Sequence, residues 1–95
     1  MLDTVRKALR ISGEYMDDEI KDTISACYKD MARVGISVFN KDGTVKRNVE
    51  ADPLVISCQK MYARWQFNFE NAAERYMRAY ENCRDGMALC GDYHA

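Results

Sequence analysis

Proline and glycine are scarce, with one Pro and five Gly in 95 residues. That disfavours an architecture of many short strands joined by tight turns and favours long helices. Histidine is rarer still. His94, the one example, is one residue from the end of the sequence, a poor position for a general base. A nucleophile without an oriented base makes no catalytic site, so no enzyme is expected. Neither sign of charge dominates: fourteen Lys and Arg face fifteen Asp and Glu, for a net charge of −1. Residues 1–47 carry nine bases and eight acids, and residues 48–95 carry five and seven. A body that grips phosphates by counterion release is strongly basic, so proteins rather than free nucleic acid are the expected partners. Long apolar runs are missing too. The longest, Met87-Ala88-Leu89-Cys90, falls far short of a bilayer span, and the opening Met-Leu-Asp-Thr-Val-Arg-Lys is not that of a signal peptide. There is no C-x-x-C, no Gly-rich phosphate loop and no dinucleotide fingerprint.

What is present points to a small helical body. With 47% apolar and 31% charged residues, the composition is that of a globular chain. At this size roughly 60–65% of the unfolded surface is buried, enough for one modest core. The expectation is a single all-α domain over residues 1–95, a small bundle of about four helices. The cysteines at 27, 58, 83 and 90 are expected as reduced thiols of a cytosolic setting, since all but Cys90 fall on apolar helix faces. Cys83, Cys90 and His94 are spaced by seven and four, unlike known zinc knuckles, so neither metal nor cofactor is expected.

The periodicity predicts a first helix over 3–10, with Asp3 as its cap and Leu2, Val5, Ala8 and Leu9 at helical spacing. A second runs from about Asp17 to Val34. Its stripe is Ile20, Ile24, Cys27, Tyr28, Met31 and Val34, with Asp17, Asp18 and Glu19 in the first turn and Gly35 as the stop. A third starts at Asp52-Pro53, Asp capping and Pro in the first helical position. Leu54, Cys58, Met61, Tyr62, Trp65 and Phe69 form its stripe, and Val55, Ile56, Ala63 and Phe67 widen it until only Ser57, Gln59, Lys60, Arg64 and Gln66 remain for solvent. Trp65 and Tyr62 are expected to be buried. A fourth starts at Asn71, where Asn-Ala-Ala-Glu has the form of a capping box closed by Glu74. Its stripe is Ala72, Tyr76, Ala79, Tyr80, Cys83, Met87 and Cys90. Gly86 is a candidate bend and Gly91 the end.

Residues 36–51 read as a long extended or hairpin-like loop between helices two and three, with Asp42-Gly43 as the turn. Long loops inside small domains are usually functional or disordered, and the apolar members argue against disorder. The loop is therefore expected to find its partner outside its own domain, with Phe39 as the anchor. The alternative is that Phe39 folds back over helices two and three as a lid. A DNA-reading helix would have to present Asn71, Glu74, Arg75, Arg78 and Glu81, where acids alternate with arginines; a solvated, salt-bridged face is the better reading. A small helical DNA-binding regulator stays as the alternative function, with a generic helical scaffold or protein inhibitor behind it.

The residues also carry a resemblance. Met-Leu-Asp-Thr-Val-Arg-Lys-Ala-Leu-Arg-Ile-Ser at the start resembles the opening of tailed-bacteriophage head–tail connector proteins, the small head-completion or adaptor proteins often labelled DNA-packaging proteins. Asp17-Asp18-Glu19-Ile20 through Ala26-Cys27 to Gly35-Ile36 looks like their second helix, and Asp52-Pro53-Leu54 like the start of their third. The run from Glu74 through Tyr80 to Ala88-Leu89-Cys90-Gly91-Asp92-Tyr93 is similar to their closing segment. Residues 37–50 match least.

The resemblance implies a structural, non-enzymatic virion protein without metal or cofactor. It implies a ring, usually of about twelve subunits, docked beneath the portal protein of a filled head, and a surface for the next connector or a tail protein. DNA would pass through the channel without sequence-specific binding, and no membrane is involved. The place implied is the head–tail interface of the virion, after assembly in the bacterial host cytoplasm. The residues expected at its interfaces are Val38, Phe39, Asp42, Gly43, Val45, Lys46 and Arg47 of the loop, with Tyr93 of the closing segment.

Overall fold

A computed structural model describes residues 1–94. Five helices follow one another: α1 Leu2–Ala8, α2 Asp17–Arg33, α3 Arg47–Ala51, α4 Pro53–Gln66 and α5 Ala73–Ala88. Single 3-10 turns occupy Phe69–Asn71 and Gly91–Tyr93. The protein is an all-α small bundle, and α4 is its centre, packed against α1, α2, α3 and α5.

α2 forms for the reasons its sequence announces. Ile20, Cys27, Tyr28 and Met31 are buried along one face, three acids occupy the first turn, and Gly35 follows at φ +101°. In that left-handed region a Cβ would be strained, which is why glycine stops the helix there. α4 begins as expected: Asp52 accepts a 2.8 Å hydrogen bond from the backbone N–H of Leu54, and Pro53 opens the helix. It ends at Gln66, because Asn68 turns left-handed at φ +49°. Phe69 therefore leaves the helical stripe.

Two clusters make the core. One gathers Cys27, Tyr28, Met31, Ile36, Val38, Val55, Cys58, Tyr80 and Met87 between α2, α4, α5 and the loop. The other joins Val5, Leu9, Ile20 and Ala63 at the opposite end of α4. There Arg6 forks onto Asp17 with two 2.8 Å bonds from one guanidinium nitrogen, tying α1 to the start of α2. Arg64 donates to the carbonyl of Ala8, tying α1 to α4.

Several expectations need correction. Asp3 lies inside α1 rather than capping it, and α1 stops at Ala8, with Arg10 left-handed at φ +57°. Asn71 does not cap α5. It stands at φ +57°, whereas a capping residue needs extended backbone, and α5 starts two residues later without a side-chain cap. Glu74 pairs with Arg78 instead, one turn on. α5 runs through Gly86 and ends at Ala88, short of the expected end at Gly91. Trp65 and Tyr62 are half-buried, not enclosed; they stack edge-on with ring centroids 5.5 Å apart. Gln59 was expected in solvent but is 1% exposed, because the α2 backbone lies over it and accepts its amide N–H at Ile24.

The cysteines also differ from expectation. Cys58 and Cys83 are paired as a disulfide between α4 and α5, their Cα atoms 6.1 Å apart. Facing stripes of two antiparallel neighbours bring them within reach, which spacing along one helix does not reveal. Cys27 is buried and free, its thiol pushed up to about 12 by burial; Cys90 is free and exposed.

Candidate interaction surface

The loop after α2 is a real hairpin turn, but a tightly local one. Phe39 and Val45 form an antiparallel bridge. The turn closes through Asn40 N–H to Thr44 O at 2.7 Å and Gly43 N–H to Asn40 O at 3.0 Å, with Gly43 at φ +89°. Asp42 accepts from both the backbone N–H and the hydroxyl of Thr44, and these bonds, the hydroxyl's foremost, hold its carboxyl below the usual range. After Val45 the chain does not stay extended. Arg47–Ala51 makes a one-turn helix, α3, anchored by the buried Val49. Its five residues are too few for a periodic signal, so nothing in the apolar pattern announces it.

The loop residues named from sequence therefore part company. Val38 is 1% exposed and belongs to the core, so it is not available to a partner. Its burial against α2 and α4 satisfies an apolar side chain that was expected to look outward. Phe39 and Val45 pack half-buried against the same core, as the lid alternative anticipated. Asp42, Gly43 and Arg47 are exposed, and Lys46 is half-buried with its ammonium on the Ser37 hydroxyl.

Tyr93 lies beside them. Its backbone carbonyl accepts the N–H of Ser37 at 2.7 Å, so the closing 3-10 turn docks on the base of the hairpin. Desolvation and the neighbouring Asp52 raise its hydroxyl above the usual phenol range. A polar cavity of about 420 Å³ opens here between Lys46, Asn48, Asp52, Asp92 and His94. Tyr93 also borders an apolar groove of about 360 Å³ with Leu54, Gly86, Met87 and Cys90. Sequence reasoning missed this groove because Leu54 lies on the apolar stripe of α4 and was assigned to the core. It is 51% exposed, at the helix's first turn on the rim of this groove.

Among the described residues no group of three His, Cys, Asp or Glu could hold a metal ion, and Cys83 is taken up by Cys58. No helix of the described residues is long and apolar enough to cross a membrane. On α5, Arg78 is paired with Glu74 and Arg75 leans over the Tyr76 ring at 5.0 Å, a self-satisfied face rather than a free basic one.

No curated protein and no solved structure matches the chain at a significant level. A family model described as phage connector protein does match, over residues 1–94. That span takes in α1, the hairpin, the groove and the closing turn alike, and it agrees with the resemblance carried by the opening, Asp-Pro and closing motifs. By this match the chain belongs to the phage connector protein family, a family of structural proteins of the head–tail junction.

Proposed function

We propose that the protein is a ring adaptor of about twelve subunits, seated between the portal of a filled phage head and the tail, extending the channel through which DNA passes. The observation that carries this reading is the family match over residues 1–94. The 95 residues act as one connector domain, assembled in the host cytoplasm and resident at the head–tail interface of the virion. Its partners are other copies of itself, the portal protein, and the next connector or a tail protein. A net charge of −1 suits a channel wall that lets DNA slide, since few phosphates are neutralised by it.

The docking residues are the exposed Asp42 and Gly43 of the hairpin and Arg47 at the start of α3, with the partly covered Phe39, Val45, Lys46 and Tyr93 beside them. The bonds of Asp42 to Thr44 hold the turn in one shape before any partner arrives, which lowers the ordering cost of association. The test uses phage lacking this protein: its filled heads should stay tailless, and added purified protein should restore tail joining. Heads that take tails equally well without it would overturn the reading.

A further inference from the structure

We propose that neighbouring copies meet head to tail, with Tyr15 of one copy seated in the groove between Leu54 and Met87 of the next. The inference rests on the ring reading above and names its contact. Among the described residues, Tyr15, Leu54 and Leu89 are the large apolar side chains left exposed, at 76%, 51% and 89%. They fall at two places. Leu54 borders the apolar groove, and Leu89 lies between Met87 and Cys90, which also border it. Tyr15 stands alone, two residues before α2.

These places lie at opposite ends of α2. Tyr15 precedes its first turn. The groove shares Tyr93 with the closing turn, which is bonded to Ser37, just past the last turn. Seventeen residues of helix separate the two ends by about 25 Å. An isologous pair needs one patch that matches itself. Two different patches at opposite ends suit the heterologous contact that closes a ring.

Charge selects a second copy as the occupant. From Glu14 to Asp22 five acids stand against Lys21, a net of −4. From Lys29 to Arg47 five bases stand against Asp30 and Asp42, a net of +3. Asp17 is engaged by Arg6, Asp30 by Arg33 and Arg84, and Asp42 by Thr44. Glu14, Asp18, Glu19 and Asp22 thus lie near Tyr15 in the sequence as exposed acids, while Lys29 is an exposed base on the second half of α2 and Lys41 and Arg47 are exposed bases beyond its end. Asp52 and Asp92 border the polar cavity next to the groove, so the bases that would meet the acidic end are those of the hairpin side, Lys41 and Arg47, with Lys46 at the cavity's edge. The groove floor is open: a Cβ built on Gly86 meets nothing within 4 Å.

The test uses two variants with one damaged end each. Tyr15→Asp spoils the knob, and Gly86→Leu fills the groove while favouring the helix. Both should keep wild-type helicity by circular dichroism, and each alone should need at least tenfold more protein to assemble. Mixed, they should give discrete one-to-one dimers in sedimentation, because one undamaged knob and one undamaged groove remain. Wild-type rings with no loss in either variant, or no dimers from the mixture, would overturn the contact and leave the ring reading standing. Wild-type protein that forms no ring, alone or on portal-bearing heads, would overturn the ring reading and the contact with it.

Discussion

The hydroxyl of Tyr80 donates a 2.6 Å hydrogen bond to Oδ2 of Asp30, fifty residues away, and Arg84 meets the same oxygen at 2.9 Å. Arg33 holds the other oxygen at 2.8 Å. The carboxylate thus bonds the end of α2 to the middle of α5, with the Arg84 guanidinium over the Tyr80 ring at 5.6 Å. Tyr80 is fully buried, so its hydroxyl has no water to turn to. Tyr80→Phe should cost about 1–2 kcal/mol in urea unfolding, the range for a hydrogen bond to a charged group. A loss under about 0.5 kcal/mol would show that the bond is not made.

The same carboxylate sets an acid limit. Desolvation opposes ionisation of Asp30, but the bonds from Tyr80, Arg33 and Arg84 outweigh it and hold its carboxyl below the ordinary value. A lowered folded pKa means a contribution fully present above the unfolded value, about 3.9, and lost as the pH falls through the folded one. Asp30→Asn should therefore be less stable than wild type at pH 7, and the difference should shrink below about pH 4. A constant difference across that range would contradict the assignment.

Cys58 and Cys83 close a loop of 25 residues between α4 and α5. Restricting the unfolded chain by such a loop stabilises a fold by about 3–4 kcal/mol. Protein unfolded without reductant should expose two thiols to a maleimide, those of Cys27 and Cys90, and four after reduction. Cys58→Ala with Cys83→Ala should lower the melting temperature under oxidising conditions, and by clearly less under reducing ones, where only the packing of the buried Cys58 is lost. Four reactive thiols without reductant would contradict the pair.

In the hairpin, Val38→Ala removes two buried carbons from a 1% exposed site and should cost about 2 kcal/mol. Arg47→Ala, on an exposed side chain, should leave thermal stability within about 0.5 kcal/mol of wild type but weaken docking onto filled heads. The reverse ranking would return Val38 to the surface.

Gln59 offers a test in the other direction. Its Nε2 donates to Ile24 O, yet its Oε1 is buried without a partner. Gln59→Met keeps the volume and removes the unpaired acceptor, so stability should hold or rise by up to about 1 kcal/mol.

What was legible in the chain was what local physics decides. Ile20, Cys27, Tyr28 and Met31 carry a period that one helix imposes, and Asp52-Pro53 carries its own capping chemistry, so α2 and the start of α4 could be read directly. The rest depended on contacts between elements. Gln59 and Val38 are buried because other segments fold over them, Leu54 stays half open because α5 and the closing turn leave a groove beside it, and Cys58 finds Cys83 only across the α4–α5 interface. Asn71 had the right letters for a capping box, but the turn from Asn68 to Asn71 is built from left-handed residues that a box excludes. The exposure of Asp42, Gly43 and Arg47 follows from their polar, turn-forming stretch of chain, whereas the groove is made by residues of two helices and the closing turn and leaves no local signal.

The most direct test of the account is the mass and shape of the assembled protein. Concentrated protein, and protein added to portal-bearing DNA-filled heads, would be examined by negative-stain imaging with particle mass measured in parallel. A ring adaptor should appear as closed rings with an open centre and a mass near twelve times 11.0 kDa, seated at the portal vertex. Compact dimers or one-to-one complexes, with no ring in solution or on heads, would contradict it.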